Sequence, residues 1–150
     1  MCGIVGAIGS VDCSSMLLDS LKRLEYRGYD SSGIVTSNNR VFDLRRSVGK
    51  IRNLEEILKE NPLAGSIGLG HTRWATHGGV SELNAHPHIA SGRVAIVHNG
   101  IIENYKAIQL RLEAKGYKVS SETDSEILAH LFVEAFDSGL APSEATQKVM

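Results

Sequence analysis

Met1-Cys2-Gly3-Ile4-Val5-Gly6 opens the chain, and its second residue decides how everything after it is read. An aminopeptidase usually removes Met1 before a side chain as small as Cys. Cys2 then carries a thiol and a free α-amine on one residue. Ordinary thiols and α-amines titrate at roughly 8.5 and 7.7–8.0, so both exchange protons near neutral pH. An N-terminal amine can activate its own side chain without a His partner. Taken alone, the dipeptide reads more simply as a small, buried cysteine. The rest of the chain has to change that reading.

Composition narrows the classes. A length of 150 residues suits one domain, able to bury about 68–70% of its unfolded surface. With 16 basic and 17 acidic residues the net charge is −1. No basic stripe suggests nucleic acid, and no apolar run approaches the ~18 residues of a membrane span. Residues 2–8 lack the basic start and the length of a signal peptide. Cys2 and Cys13 allow one bridge at most, so a cytoplasmic protein is expected.

Working outward, Cys2–Ile8 is an apolar run that reads as a buried strand with Cys2 at its first position. Leu17, Leu18, Leu21 and Leu24 predict a helix over Asp12–Glu25, with Ser10 or Asp12 near its cap. Tyr26–Gly33 has no period and reads as a shaped loop. Ile34–Thr36 and Val41–Arg45 read as a hairpin through Ser37-Asn38-Asn39. Leu54, Ile57 and Leu58 mark a short helix ended by Asn61-Pro62. Ser66–His71 is a strand, Thr72–Pro87 a polar loop and Arg93–Val97 another strand. A helix runs from Asn104 to Lys115 with Gly116 as its stop, and Val119 falls in a brief strand. Thr123 and Glu126 have the spacing of a capping box before the amphipathic helix containing Ile127, Leu128, Leu131, Phe132 and Phe136. Pro142 opens a last helix. The irregular alternation predicts a layered α+β or α/β domain, and an end in mid-helix suggests a piece of a longer protein.

Several polar segments sit at strand ends. In His71–Gly79, Arg73 offers a planar fork for a carboxylate and Trp74 a lid over a small molecule; a surface loop with a packed Trp is the plainer alternative. In His98–Asn104, the Asn99 amide and the Gly100 N–H could donate to a developing oxyanion. A simple Asn-Gly hairpin turn is the competing account, weakened by the helical residues that follow. Asp124 in a first helical turn needs no ligand to explain it, but could also pair with a substrate ammonium. Five of six histidines (His71, His77, His86, His88 and His98) fall in one third of the chain. His86-Pro87-His88 is their one close pair, and no Cys-x-x-Cys or His-Glu-x-x-His accompanies it, so no metal site is assigned. Gly65–Gly70 does not match a dinucleotide-binding turn.

Taken together, Met1–Gly6, Tyr26–Ser31, His71–Gly78, Asn84–His88, His98–Asn104 and Glu122–Glu126 resemble the glutaminase half of the glucosamine-6-phosphate synthases, the glutamine–fructose-6-phosphate aminotransferases. The resemblance runs in order from Cys2 to at least His130. Tyr26–Asp30 and Trp74–His77 separate it from the phosphoribosyl-pyrophosphate amidotransferases and the asparagine synthetases, which share only the initial Cys-Gly and an Asn-Gly.

The resemblance implies an N-terminal-nucleophile fold, an αββα sandwich of two stacked antiparallel sheets between helix layers, incomplete here on its C-terminal side. It implies that Cys2 is the nucleophile and its α-amine the general base, with Asn99 and Gly100 as the oxyanion hole. Arg73 would hold the α-carboxylate of L-glutamine and Asp124 its α-ammonium. Thr76 and His77 would lie in a loop closing over glutamine, with Trp74 gating ammonia. No cofactor is implied. Fructose-6-phosphate would be a partner only through an isomerase part absent from this sequence, and the full-length enzyme would be a homo-oligomer. Gly79 departs from the family, which commonly carries a longer residue there, and is expected to loosen the closing loop. Competing readings are another class II amidotransferase, a silent glutamine-binding fragment and a small metal-binding protein.

Overall fold

Strand β1 (Gly3–Ile8) forms within the apolar opening run, but Cys2 precedes it instead of opening it. The strand is not buried throughout: Gly3 and Ala7 are buried while Ile4 and Ile8 are exposed; helix α1 (Ser14–Leu24) follows. A computed structural model describes residues 2–28, 30–75 and 78–150. Strands β2 (Ser31–Asn38) and β3 (Val41–Val48) make a hairpin whose two-residue turn puts Asn39 and Arg40 at φ of 49° and 67°. Both central residues at positive φ give the turn that matches strand twist. Helix α2 (Ile51–Glu60) leads to strand β4 (Ile67–Arg73), and these strands form one antiparallel sheet in the order β1-β4-β2-β3.

One face of this sheet is covered by α1 and α2, which bury Leu17, Leu21, Ile51 and Leu54 against Ala7 and Ile34. The helix lies close because β4 carries glycines beneath it. A Cβ on Gly68 would come 2.7 Å from Leu17 Cδ1, and one on Gly70 would come 3.0 Å from Leu21 Cδ1. Gly68 and Gly70 thus make β4 a packing surface for α1. Truncating a leucine in such a core to alanine costs about 2–5 kcal/mol.

A second, two-stranded sheet, β5 (His88–Ala90) and β6 (Val94–Ile96), stands on the opposite side. Ala95 borders the same cleft as Gly6, Val35 and Leu69 of the first sheet. Arg46 of β3 reaches across to donate to the carbonyls of Leu83 (3.2 Å) and Ala85 (3.0 Å). Beyond that sheet lie α3 (Tyr105–Ala114), α4 (Ser125–Asp137) and α5 (Pro142–Val149). Val94 and Ile96 join the core formed by Ala90 with Ala129 and Val133 of α4, on the side away from Ala95. Alternation along β6 thus serves both neighbours. The order helix, sheet, sheet, helix is the four-layer α+β sandwich that the resemblance implies. Among the described residues, no helix is long and apolar enough to cross a membrane.

Some elements differ from expectation. Helix α1 starts later than Asp12 and has no side-chain cap; the Asp12 carboxylate instead accepts the Gly65 N–H at 2.7 Å. The expected loop over Tyr26–Gly33 is shorter, because Glu25–Arg27 is a 3-10 turn and Ser31 already pairs in β2. Strand β5 begins directly after the polar loop, where no strand is expected, whereas β6 falls within the expected strand; Val119 is not in a strand. Three residues containing a His and an Ala give β5 too little apolar pattern to be read from sequence.

Candidate active site

Pairing of β1 with β4 places Gly3 opposite Thr72, where the Gly3 N–H donates to Thr72 Oγ1 at 3.1 Å. Cys2, half-buried, is thereby set beside the residue that follows β4. The Trp74 N–H donates to Cys2 Sγ at 3.4 Å, and the sulfur lies 3.9 Å from the Trp74 carbonyl oxygen. Cys2 opens onto a cavity of about 390 Å³, whose walls include Arg73, Trp74, Asn99, Gly100 and Asp124. The other cysteine, Cys13, is buried in the α1 core, and burial pushes its thiol up. Both cysteines are free thiols.

Arg73 and Asp124 are 4% and 3% exposed, an unusual depth for two charged groups. Buried charges persist only where hydrogen bonds replace water. Arg73 donates to the carbonyls of Gly79 (3.1 Å) and Gly78 (3.4 Å). Asp124 precedes α4 but makes no side-chain cap to it; its Oδ2 accepts the Ile102 N–H at 2.8 Å. The simple helix-cap account of Asp124 therefore does not hold.

The loop after β4 is tied down by buried Asn84, whose Nδ2 donates to Gly79 O (3.1 Å) and Glu122 Oε2 (2.8 Å), while its Oδ1 accepts the Glu122 N–H (2.9 Å). Glu122 Oε2 also accepts the Gly79 N–H at 3.3 Å. These bonds from Asn84 and Gly79 hold the Glu122 carboxyl below its usual range. Gly79, expected to loosen the loop, is thus held through its backbone.

Trp74 is 56% exposed, and Asn99 and Gly100 are exposed at the cavity edge. Thr76 and His77 lie outside the described residues. The capping box forms only in half: the Glu126 N–H donates to Thr123 Oγ1 at 3.4 Å, but the Glu126 carboxylate accepts from the Ser120 and Ser121 N–H groups. Burial works to raise the Glu126 pKa. The nearby His130 ring, with Nε2 3.5 Å away, and the hydrogen bonds of the Ser120–Ser121 segment outweigh it and hold the carboxyl well below the carboxylate range.

His71, His86 and His88 pack together, and the first two form part of the cavity wall. His71 and His86 stack with centroids 4.2 Å apart, and His88 meets His86 edge-on at 4.5 Å. Among the described residues, no group of three or more His, Cys, Asp or Glu is arranged to hold a metal ion. The His71 ring nitrogens make no well-formed hydrogen bond; an approach to the His98 backbone raises its basicity only weakly. Burial pushes His71 down to about 3, His88 to about 4, and His86 strongly down.

These shifts predict acid lability. The folded-state values lie below the unfolded value near 6.5, so the unfolded chain takes up protons first as pH falls. Stability is complete above about pH 6.5 and is lost toward pH 4, at about 1.4 kcal/mol per pH unit for each histidine. Urea unfolding at pH 7, 6 and 5 should show a steady decline. Equal stability at pH 7 and 5 would contradict neutral burial of the three rings.

The described architecture matches that of a glutamine phosphoribosylpyrophosphate amidotransferase from B. subtilis, with a TM-score of 0.80, 21% identity and coverage of 97% of this chain and 32% of that one. The allosteric regulatory enzyme of purine biosynthesis matches similarly, with a TM-score of 0.81, 23% identity and the same coverages. At these identities the likeness is one of fold, the N-terminal-nucleophile sandwich of the amidotransferases. Residues 55–142 match the glutamine amidotransferase domain, and the chain belongs to that family. Relatives named glutamine–fructose-6-phosphate aminotransferase (isomerizing) are 54% identical over 147 residues in Brucella suis and 53% identical over 150 in Mesorhizobium japonicum. They align with 98% and 100% of this chain, which spans 24% of the length of each.

Sequence reasoning named half of the cavity wall and missed His71, His86, His98, Ile101, Thr123 and Ser125 as lining residues. The density of histidines was the available signal, and it pointed toward metal rather than toward a packed wall.

Proposed function

We propose that this chain hydrolyses L-glutamine to glutamate and ammonia through a thioester on Cys2. The observation that carries the reading is a half-buried thiol on a cavity whose walls also hold a buried cation, Arg73, and a buried anion, Asp124. A free amino acid carries both complementary charges. With Met1 removed, the Cys2 α-amine takes the thiol proton and sulfur attacks the side-chain amide carbon. The oxyanion draws on Asn99 and Gly100 donors. Collapse expels ammonia with the transferred proton. Water then attacks the thioester, releasing glutamate and restoring the thiol. Trp74, exposed at the cavity wall, gates the leaving ammonia. The test is glutamate release from glutamine by the chain beginning at Cys2, with Cys2→Ala as its blank; equal release by both would end the proposal.

Residues 1–150 are proposed to be part of a glutaminase domain in a longer enzyme. There the ammonia would convert fructose-6-phosphate to glucosamine-6-phosphate at a separate site. The name shared by relatives at 53% and 54% identity supports this acceptor. A reducing, cytoplasmic setting suits two free thiols.

Docking the glutamine carboxylate on Arg73 exchanges neutral carbonyl acceptors for a charged one, which strengthens the hydrogen bonds. Arg73→Lys keeps the charge but loses the planar fork. We expect KM for glutamine to rise about tenfold or more, from loss of one charge-assisted bond, with a smaller change in kcat. An unchanged KM removes Arg73 from the site.

A further inference from the structure

We propose that Ser125 is a positioning residue for the Asn99-Gly100 edge of the cavity, acting through the His98 imidazole. The proposal rests on the glutaminase reading and adds to it a residue of the cavity wall that acts through another side chain.

Three contacts fasten the segment that bears Asn99 and Gly100. At its far end the Ile102 N–H donates to Asp124 Oδ2 at 2.8 Å. At its near end the His98 N–H donates to His86 Nδ1 at 3.3 Å, and the His98 ring meets Ser125 Oγ through Nδ1 at 2.9 Å. The opposite edge of that ring lies against Gly100. A Cβ built on Gly100 would fall 2.6 Å from His98 Nε2 and 3.0 Å from its Cε1. The imidazole is thus a wedge with Ser125 on one side and the Gly100 backbone on the other.

Ser125 Oγ also meets Asp124 Oδ1 at 3.4 Å, so one hydroxyl links the His98 ring to the carboxylate that holds the Ile102 N–H. Ser125 is 4% exposed, so no bulk water stands ready to replace its hydroxyl. Without that oxygen the ring loses its anchor, and the Gly100 backbone loses the surface it rests on. Asp124 keeps its bond to Ile102, so its position and the binding of glutamine should be little affected.

The experiment is steady-state glutamate release by the chain beginning at Cys2, with thermal midpoints recorded for every variant. Ser125→Ala should lower kcat about tenfold, a fraction of what losing a whole oxyanion donor costs, while KM for glutamine shifts less than about twofold. Ser125→Thr, which retains the hydroxyl, should recover most of kcat. Gly100→Ala presses on the same ring, so combining it with Ser125→Ala should cost less than the sum of the two. An unchanged kcat in Ser125→Ala overturns the proposal. So does a joint loss of kcat, KM and thermal midpoint that Thr does not restore. Asn99→Ala separates the two levels: if it too is without effect on turnover, the glutaminase reading itself falls.

Discussion

Asn99→Ala lowers glutamine turnover by about 10²–10³-fold and leaves glutamine affinity close to that of the unsubstituted chain. The size follows from the chemistry assigned to the amide. A donor aimed at a developing oxyanion contributes about 2.7–4 kcal/mol to the transition state and little to the ground state. The geometry separates this loss from a folding defect, because Asn99 is exposed at the cavity edge and belongs to neither apolar core. The segment around it is held by His98 and Ile102, whose bonds to Ser125 and Asp124 do not involve the Asn99 side chain. Steady-state kinetics with an independent binding measurement decide the matter. Should binding collapse and turnover merely follow it, Asn99 is a binding or structural residue.

A form that keeps Met1 is expected to show little or no glutamine hydrolysis. In that form the Cys2 nitrogen is an amide, without a basic lone pair to take the thiol proton. An ordinary thiol is only about a few per cent ionised at pH 7. The site offers no obvious substitute: the polar contacts of the sulfur within the described residues are the Trp74 N–H and carbonyl, neither of which is a base. The measurement is glutamate release from two preparations of defined N-terminal mass, one with Met1 and one starting at Cys2. Full activity with Met1 demonstrably retained would defeat the N-terminal-base mechanism.

Much of this was legible in the sequence where the signal is local. Gly3–Ile8 is a strand because it falls in a run of small and apolar residues that fits little else, and α2 announced itself by Leu54, Ile57 and Leu58 on one face. The paired charges Arg73 and Asp124 were legible by resemblance, since each sits at the end of an element with a recognisable motif. What failed was what depends on contacts across the chain. Asp12 looked like a helix cap, yet its carboxylate is taken by Gly65, 53 residues away. Glu126 has capping-box spacing, yet the Ser120 and Ser121 N–H groups lie within reach and compete for it. The glycines Gly68 and Gly70 had no sequence explanation beyond failing to match a dinucleotide turn; the approach of α1 supplies one. Ser125 is unremarkable in sequence, because its significance lies in His98 and Gly100, brought to it by the packing of the second sheet against α4.

The central claim is that Cys2 is the nucleophile of a glutamine site. It is tested most directly by incubating the chain beginning at Cys2 with a glutamine analogue that carries an electrophilic carbon in place of the side-chain amide. Peptide mass mapping then reads where the label sits. The account predicts one label, on Cys2, suppressed by excess glutamine, with Cys13 unmodified in its core. Labelling of Cys13 to the same extent, or labelling of Cys2 that glutamine does not suppress, would contradict it.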